Sequence, residues 1–189
     1  MLYLASQSPR RRELLERLGV RFGTVEIDVP EVRALDEAPR DYVSRVAREK
    51  AGAGLLKLSG VKGAMVLGAD TEVVLDGEVF GKPADATQAA RMLRQLSGRT
   101  HEVVSAVWCL DAGREEQAFS ITQVEFAVLE AGWIDAYVSG GEWQGKAGAY
   151  AIQGRAEAFV VRLAGSYSGV MGLPLHETVN LLRRFGMVV

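Results

Sequence analysis

Leu2-Tyr3-Leu4-Ala5-Ser6-Gln7-Ser8-Pro9-Arg10-Arg11-Arg12-Glu13-Leu14-Leu15 reads as a short apolar strand, a tight polar turn and a helix. Ser8 suits an N-cap, and Pro9 suits the first helical position, where a missing N–H costs nothing. Leu14, Leu15 and Leu18 form the predicted buried stripe, and Gly19 offers a stop. The arginines run against this pattern. A helix N-terminus carries partial positive charge and favours acidic side chains, yet Arg10, Arg11 and Arg12 crowd the first turn. Two readings stand. A bound anion would relieve the conflict, because free backbone N–H groups and guanidinium forks both suit it, and a phosphate-rich ligand follows. The plainer reading is a solvated basic patch.

Beyond this unit, Phe22 to Ile27 is predicted as a strand, and a polar loop runs through Glu31 to Pro39. Asp41 to about Ser59 has helical periodicity with Tyr42, Val43, Val46 and Ala47 inward; Gly52 and Gly54 each weaken it by roughly 1 kcal/mol relative to alanine. Ala64 to Ala69 suits a buried strand, interrupted by Asp70-Thr71 and resumed at Val73. Asp76-Gly77 signals a hairpin into Glu78-Val79-Phe80. Asp85 and Gln88 fit a capping box for a helix through Leu96. His101–Leu110 and Gln117–Leu129 form a predicted long hairpin. A short helix over Trp133–Val138, a loop of small residues to Gly154, a strand over Phe159–Leu163, a loop over Gly165–Gly172 and a helix over Pro174–Phe185 complete the chain. The order of elements predicts an α/β fold with early parallel crossovers and a central hairpin.

A chain of 189 residues predicts one domain, with room for two lobes. The formal net charge of −2 argues against a general nucleic-acid coat, so the arginine cluster is local chemistry. Cys109 is the only cysteine, which excludes an internal disulfide and a cysteine-rich metal site, and its apolar neighbours predict a buried thiol. Neither a leader-like segment nor an apolar run of ~20 residues is present, so a cytoplasmic protein without a membrane span is the expectation. His101 and His176 lack partners at ligand spacing. Ser6 and Ser8 have no His partner in sight, and no P-loop spacing occurs, which disfavours a Ser-His-Asp hydrolase and a P-loop NTPase.

Asp70 is the strongest chemical candidate, a carboxylate in the otherwise apolar Val66-Leu67-Gly68-Ala69-Asp70-Thr71-Glu72-Val73-Val74. Burial without a partner would be costly. A cleft with a magnesium ion shared with substrate phosphates removes the cost; backbone N–H groups around a structural Asp would also do so. Lys82 sits in a rigid Gly-Lys-Pro turn and reads either as a phosphate contact or as a surface lysine. Lys50, among Arg45, Arg48 and Glu49, reads as part of a solvated face. Gln153 offers a donor and an acceptor that match the N–H and carbonyl edge of uracil or thymine; a turn-stabilising glutamine is the alternative.

These pieces together resemble the Maf-like nucleoside triphosphate pyrophosphatases. The blocks that carry the resemblance are Leu4-Ala5-Ser6-Gln7-Ser8-Pro9-Arg10-Arg11, Ala47-Arg48-Glu49-Lys50-Ala51, Gly68-Ala69-Asp70-Thr71, Gly81-Lys82-Pro83, Leu96-Ser97-Gly98-Arg99-Thr100-His101, Lys146 to Gly154, Gly165-Ser166-Tyr167-Ser168 and Gly172-Leu173-Pro174-Leu175. They occur in family order across the chain and imply a single Maf-like domain over residues 1–189. The implied fold is α/β, like that of inosine-triphosphate pyrophosphatases: an elongated mixed sheet with flanking helices in two lobes around a cleft. The implied reaction cleaves a nucleotide between its α- and β-phosphates with a divalent cation, Mg2+ or Mn2+. The Ala149-Tyr150-Ala151-Ile152-Gln153-Gly154 block resembles the branch acting on dTTP and UTP more than the sister branch acting on 7-methyl-GTP. Residue by residue, the resemblance makes Asp70 the proton acceptor and a metal ligand, and Glu31 a further metal-site residue. It makes Arg12, Thr71 and Gln153 the base-selecting set, and Ser6, Arg11, Lys50 and Lys82 the phosphate-facing set. A pyrimidine nucleoside triphosphate is the implied partner, and a homodimer rests on family likeness alone. A nucleotide-sensing regulator of septum formation is the non-catalytic alternative. Three positions depart from the pattern. Pro30 replaces an often acidic residue, Gly169 replaces a larger one, and Glu72 stands where the family is usually apolar.

Overall fold

A computed structural model describes residues 1–189. Strand β1 (Leu2–Ala5) is followed by helix α1 (Pro9–Glu16), as expected, and the Ser8 hydroxyl accepts from the backbone N–H of Arg11. Strand β2 (Phe22–Val25) is shorter than predicted, and helix α2 (Pro39–Lys57) leads into strand β3 (Met65–Leu75). Both β2 and β3 lie parallel to β1, one on each side of it. The two crossover helices cover opposite faces. Leu14 and Leu15 of α1 join the main core with Leu2 and Leu4, whereas Val43, Val46 and Ala47 of α2 pack with Val74 on the other side. A chain that turns one way and then the other around a strand leaves a crevice at that strand's carboxyl end.

Strand β3 is continuous, so the expected interruption at Asp70-Thr71 does not occur. Its antiparallel ladder with β5 (Thr100–Leu110) runs from Val66↔Leu110 to Val74↔Glu102 and carries the backbone through the polar residues. The other edge of β3 is where the break lies. β1 pairs with it as far as Ala5↔Gly68, and β4 (Glu78–Phe80) pairs with it from Val73↔Phe80. Ala69 to Glu72 therefore have no strand beside them, and the sheet forks there. Side chains alternate along β3, so Asp70 and Glu72 face α2 while Thr71 faces the main core.

Gly68 sets the height of α2 above this strand. A Cβ there would lie 2.5 Å from the backbone nitrogen of Ala51, so only glycine lets the helix settle so low. Gly54 is similarly enclosed by Val66, Ala5 and Val25, which gives a packing reason for a poor helix former. Low seating buries Lys50, contrary to the solvated face expected for it.

The rest of the sheet is antiparallel. β6 (Glu115–Phe126) pairs with β5, and β7 (Val160–Ala164) pairs with β6. Helix α3 (Ala86–Leu96), ahead of β5, and helix α4 (Ala131–Ser139), between β6 and β7, pack together. At α3, Asp85 accepts from the Gln88 N–H at 2.7 Å, but the Gln88 side chain accepts from Ala84 at 2.7 Å, so the box is shifted by one residue. The Gly165–Gly172 segment expected as a loop contains helix α5 (Tyr167–Met171), capped by the Ser166 hydroxyl. Helix α6 (Leu175–Arg184) closes the chain, with Thr178, Leu181 and Leu182 buried and Leu175 and Val179 half-buried. No helix is long and apolar enough to cross a membrane.

Candidate active site

The forked edge of β3 opens into a cleft of about 580 Å³. Its walls come from the β1–α1 turn, the end of α5, the Gly81-Lys82 turn and the loop carrying Gln153. On the α2 side, charged groups are interlocked. The Lys50 ammonium donates to Asp70 Oδ1 at 2.7 Å and to Glu31 Oε1 at 2.6 Å, and Lys82 donates to Glu31 Oε2. Burial alone would raise the Glu31 pKa; hydrogen bonds from Lys50 and Lys82 outweigh it and hold the carboxyl down at about 2. Burial, and then the Asp70 charge, push Glu72 the other way, up to about 8. Asp70 Oδ2 and Glu72 Oε2 are buried without a hydrogen-bond partner.

The β1–α1 turn supplies the cationic wall. Ser6 is buried, and its hydroxyl accepts from the Ser8 N–H at 3.1 Å. Arg10 Nε donates to the Met171 carbonyl at 3.2 Å, and Arg11 Nε donates to the Gly172 carbonyl at 2.8 Å. Those carbonyls orient the guanidinium groups and leave their terminal nitrogens for the cleft. Gly172 has φ +122, a conformation that favours glycine, and it aims its carbonyl at Arg11. Burial lowers the Arg11 pKa against the opposing pull of Asp70, Glu31 and Glu72. Arg12 is solvent-exposed and does not line the cleft. Its place differs from that of the other expected site residues because successive helical residues point about 100° apart, and only Arg10 and Arg11 meet the end of α5.

On the opposite face of β3, Thr71 begins a relay of uncharged hydrogen bonds. Thr71 Oγ1 lies 2.8 Å from Ser105 Oγ, which donates its single hydroxyl proton to the Gly169 carbonyl at 2.7 Å. Ser105 must therefore accept from Thr71, and Thr71 is left with acceptor capacity only. Gln153 is exposed and lines the same cleft. Other groups hold its turn: the Tyr137 hydroxyl accepts from the Ala151 N–H at 3.1 Å, and Glu142 accepts from the Arg155 N–H at 2.9 Å. Tyr150 is anchored by the His101 ring at 2.8 Å. His101 is thus a packed core residue, held neutral by burial, which pushes it down to about 4. Cys109 is buried as expected, and burial pushes its thiol up to about 12.

No group of three or more His, Cys, Asp or Glu side chains is arranged to hold a metal. A magnesium ion bound with substrate needs less, one or two carboxylates together with phosphate oxygens and waters. The free Asp70 Oδ2 fits that demand. Glu31 lines the cleft, but both its oxygens are already engaged by lysines.

The structure thus gathers Ser6, Arg11, Glu31, Lys50, Asp70, Thr71, Lys82 and Gln153 around one cleft and leaves out Arg12. Ser105 was not singled out in the sequence, where it is one small polar residue in an apolar strand. Arg10 and Lys146 also line the cleft, and burial lowers the Lys146 pKa, with the nearby Arg10 charge adding to the effect.

Comparison with known proteins agrees with this architecture. The family model described as Maf-like protein matches residues 1–185. A nucleoside triphosphate pyrophosphatase of Xylella fastidiosa (strain 9a5c) is 58% identical over 186 residues, 98% of each chain. A dTTP/UTP pyrophosphatase of Xanthomonas euvesicatoria pv. vesicatoria (strain 85-10) is 58% identical over 188 residues, covering 98% of this chain and 99% of that one. In fold, the chain is similar to the Staphylococcus aureus Ham1 protein, with TM-score 0.53 at 12% identity over 97% of this chain and 96% of that one. Full-length identity at this level and the family match lead to one assignment: the chain belongs to the Maf-like protein family.

Proposed function

We propose that this chain, acting as one domain over residues 1–189, hydrolyses dTTP and UTP to the monophosphate and pyrophosphate in the cytoplasm. The observation that carries the reading is Asp70, with one oxygen held by a buried lysine and the other free in a cleft walled by arginines. Lys50 keeps the carboxylate oriented. Asp70 Oδ2 takes a proton from water as its oxygen bonds to phosphorus, and the α–β bridge breaks with pyrophosphate as leaving group. Charge grows on that group, and Arg11 and Lys82 stabilise it. A divalent cation, Mg2+ or Mn2+, would be held by Asp70 and would neutralise phosphate oxygens when bound.

Base selection rests on the other face. Thr71, as acceptor, matches the ring N–H of uracil or thymine, which cytosine lacks, and the Gln153 amide can pair with the adjoining edge. Arg10, which lines the cleft, takes the guanidinium place expected of Arg12. The names of the Xanthomonas relatives support a pyrimidine substrate.

The test is pyrophosphate release from dTTP, UTP, CTP, GTP and 7-methyl-GTP with Mg2+ or Mn2+. Release from dTTP and UTP above the rest is the expected result. Release chiefly from 7-methyl-GTP would move the chain to the sister specificity. Tight nucleotide binding without product would make it a sensor.

A further inference from the structure

We propose that Glu72, rather than Glu31, is the carboxylate that joins Asp70 in holding the divalent cation. The proposal rests on the pyrophosphatase reading and adds a ligand to its site. Glu72 stands two residues beyond Asp70 on β3, on the same face, and both line the cleft. Each is 5% exposed. Each also has a buried oxygen without any partner, Oδ2 of Asp70 and Oε2 of Glu72.

The surrounding charges do not satisfy those oxygens. Lys50 is committed to Asp70 Oδ1 and Glu31 Oε1. Lys82 is committed to Glu31 Oε2, and Arg11 donates its Nε to Gly172. Glu31 could ligate a cation only by giving up a lysine. A hard cation seeks free carboxylate oxygens, and the cleft offers these two. An apolar residue would occupy the Glu72 position without the cost of a buried, unpartnered polar atom. A cation removes that cost, and substrate phosphates, which carry no donors at neutral pH, do not. Asp70 keeps its role as base, because a carboxylate oxygen has a second lone pair for water.

The test is binding of Mn2+ alone, followed by electron paramagnetic resonance of the free ion, in the wild type, Glu72→Gln, Glu72→Leu and Asp70→Asn. Loss of a direct ligand should weaken Mn2+ at least as much as loss of an outer-shell partner does, so both Glu72 variants should bind about tenfold less tightly or worse. Their metal-free melting temperatures should match or exceed that of the wild type, while the rise in melting temperature on adding Mn2+ shrinks. Glu72→Leu keeps the test open should Glu72→Gln fold poorly. Wild-type Mn2+ affinity in both Glu72 variants, with affinity lost in Asp70→Asn, would overturn the proposal and leave the Asp70 reading standing. Unchanged Mn2+ affinity with a raised KM for nucleotide would also overturn it and assign Glu72 to a substrate hydroxyl. Absence of Mn2+ binding to the wild type would overturn it too, whereas pyrophosphate release from dTTP tests the reaction separately.

Discussion

Asp70 and Thr71 are neighbours in sequence, yet they open on two sides of β3 that are built in opposite ways. The side facing α2 holds interlocked charges: Lys50 between Asp70 and Glu31, Lys82 on Glu31, and Glu72 beside them. The other side holds a neutral relay in which Thr71 donates to Ser105 and Ser105 to the Gly169 carbonyl. Charges close together in a partly dry site act strongly on a polyanion and on a water proton, but they discriminate poorly between bases. Neutral hydrogen bonds with fixed direction add little catalytic field and read a base edge well. On the proposed reading, the alternation of the strand separates the two tasks, and the fork at Ala69–Glu72 opens both sides to one nucleotide. Breaking one side should therefore change rate, and breaking the other should change choice.

Asp70→Asn tests the charged side most severely. The amide can still accept from Lys50, so the fold should survive, while the proposed proton acceptor is lost. Turnover is expected to fall by about 10²–10⁴-fold with the ranking of substrates preserved. Near-wild-type turnover would remove Asp70 from its role. Lys50→Met attacks the same side through stability. It leaves two carboxylates without their shared cation, and removing one partner of a buried pair costs about 3–5 kcal/mol. Denaturant unfolding should show this loss, and adding Asp70→Asn to the variant should recover part of it. A Lys50→Met protein as stable as the wild type would mean that the ammonium holds nothing together.

The neutral side responds to pH through the mounting of the Gln153 loop. His101 contacts Tyr150 and stacks edge-on against Phe126 with ring centroids 4.9 Å apart. Burial lowers its folded pKa from 6.5 to about 4. Below 6.5 the unfolded chain takes up a proton that the folded chain refuses. The His101 contribution is therefore fully present above pH 6.5 and is lost as pH falls towards 4, by about 3 kcal/mol in all. His101→Phe should flatten the stability profile in that window. An equally steep profile in the variant would assign the acid sensitivity to the carboxylates opposite.

How much of this was legible in the sequence depends on the range of the interactions involved. The β1–α1 unit could be read from Ser8 and Pro9 because capping is local. Burial of Lys50 was also readable, since Val43, Val46, Ala47, Lys50, Ala51 and Gly54 form one helical stripe; expecting lysine in water hid it. The fork at Ala69–Glu72 could not be read, because it depends on where β1 and β4 stop pairing with β3. Helix α5 is too short to show a period, although Ser166 is an ordinary cap. Nothing local distinguishes three consecutive arginines. That Arg10 and Arg11 enter the cleft and Arg12 does not is decided by the Met171 and Gly172 carbonyls, 161 residues away.

The smallest and most specific effect is expected at Ser105, which sits opposite Thr71 in the β3–β5 ladder. In Ser105→Ala the Thr71 hydroxyl loses its acceptor and can turn its proton into the cleft. Thr71 then offers a donor as well as an acceptor, and cytosine, whose ring nitrogen accepts, is no longer excluded. Loss of one neutral hydrogen bond is worth about 1 kcal/mol, so the preference for UTP over CTP in kcat/KM should fall roughly fivefold. Turnover of UTP should stay within about twofold of the wild type, because no charge on the opposite face has moved. Ser105→Thr keeps a hydroxyl at that position and should restore the preference. If Ser105→Ala instead lowers turnover on all nucleotides alike, Thr71 serves the reaction rather than the choice of base, and the two sides of β3 are not separate.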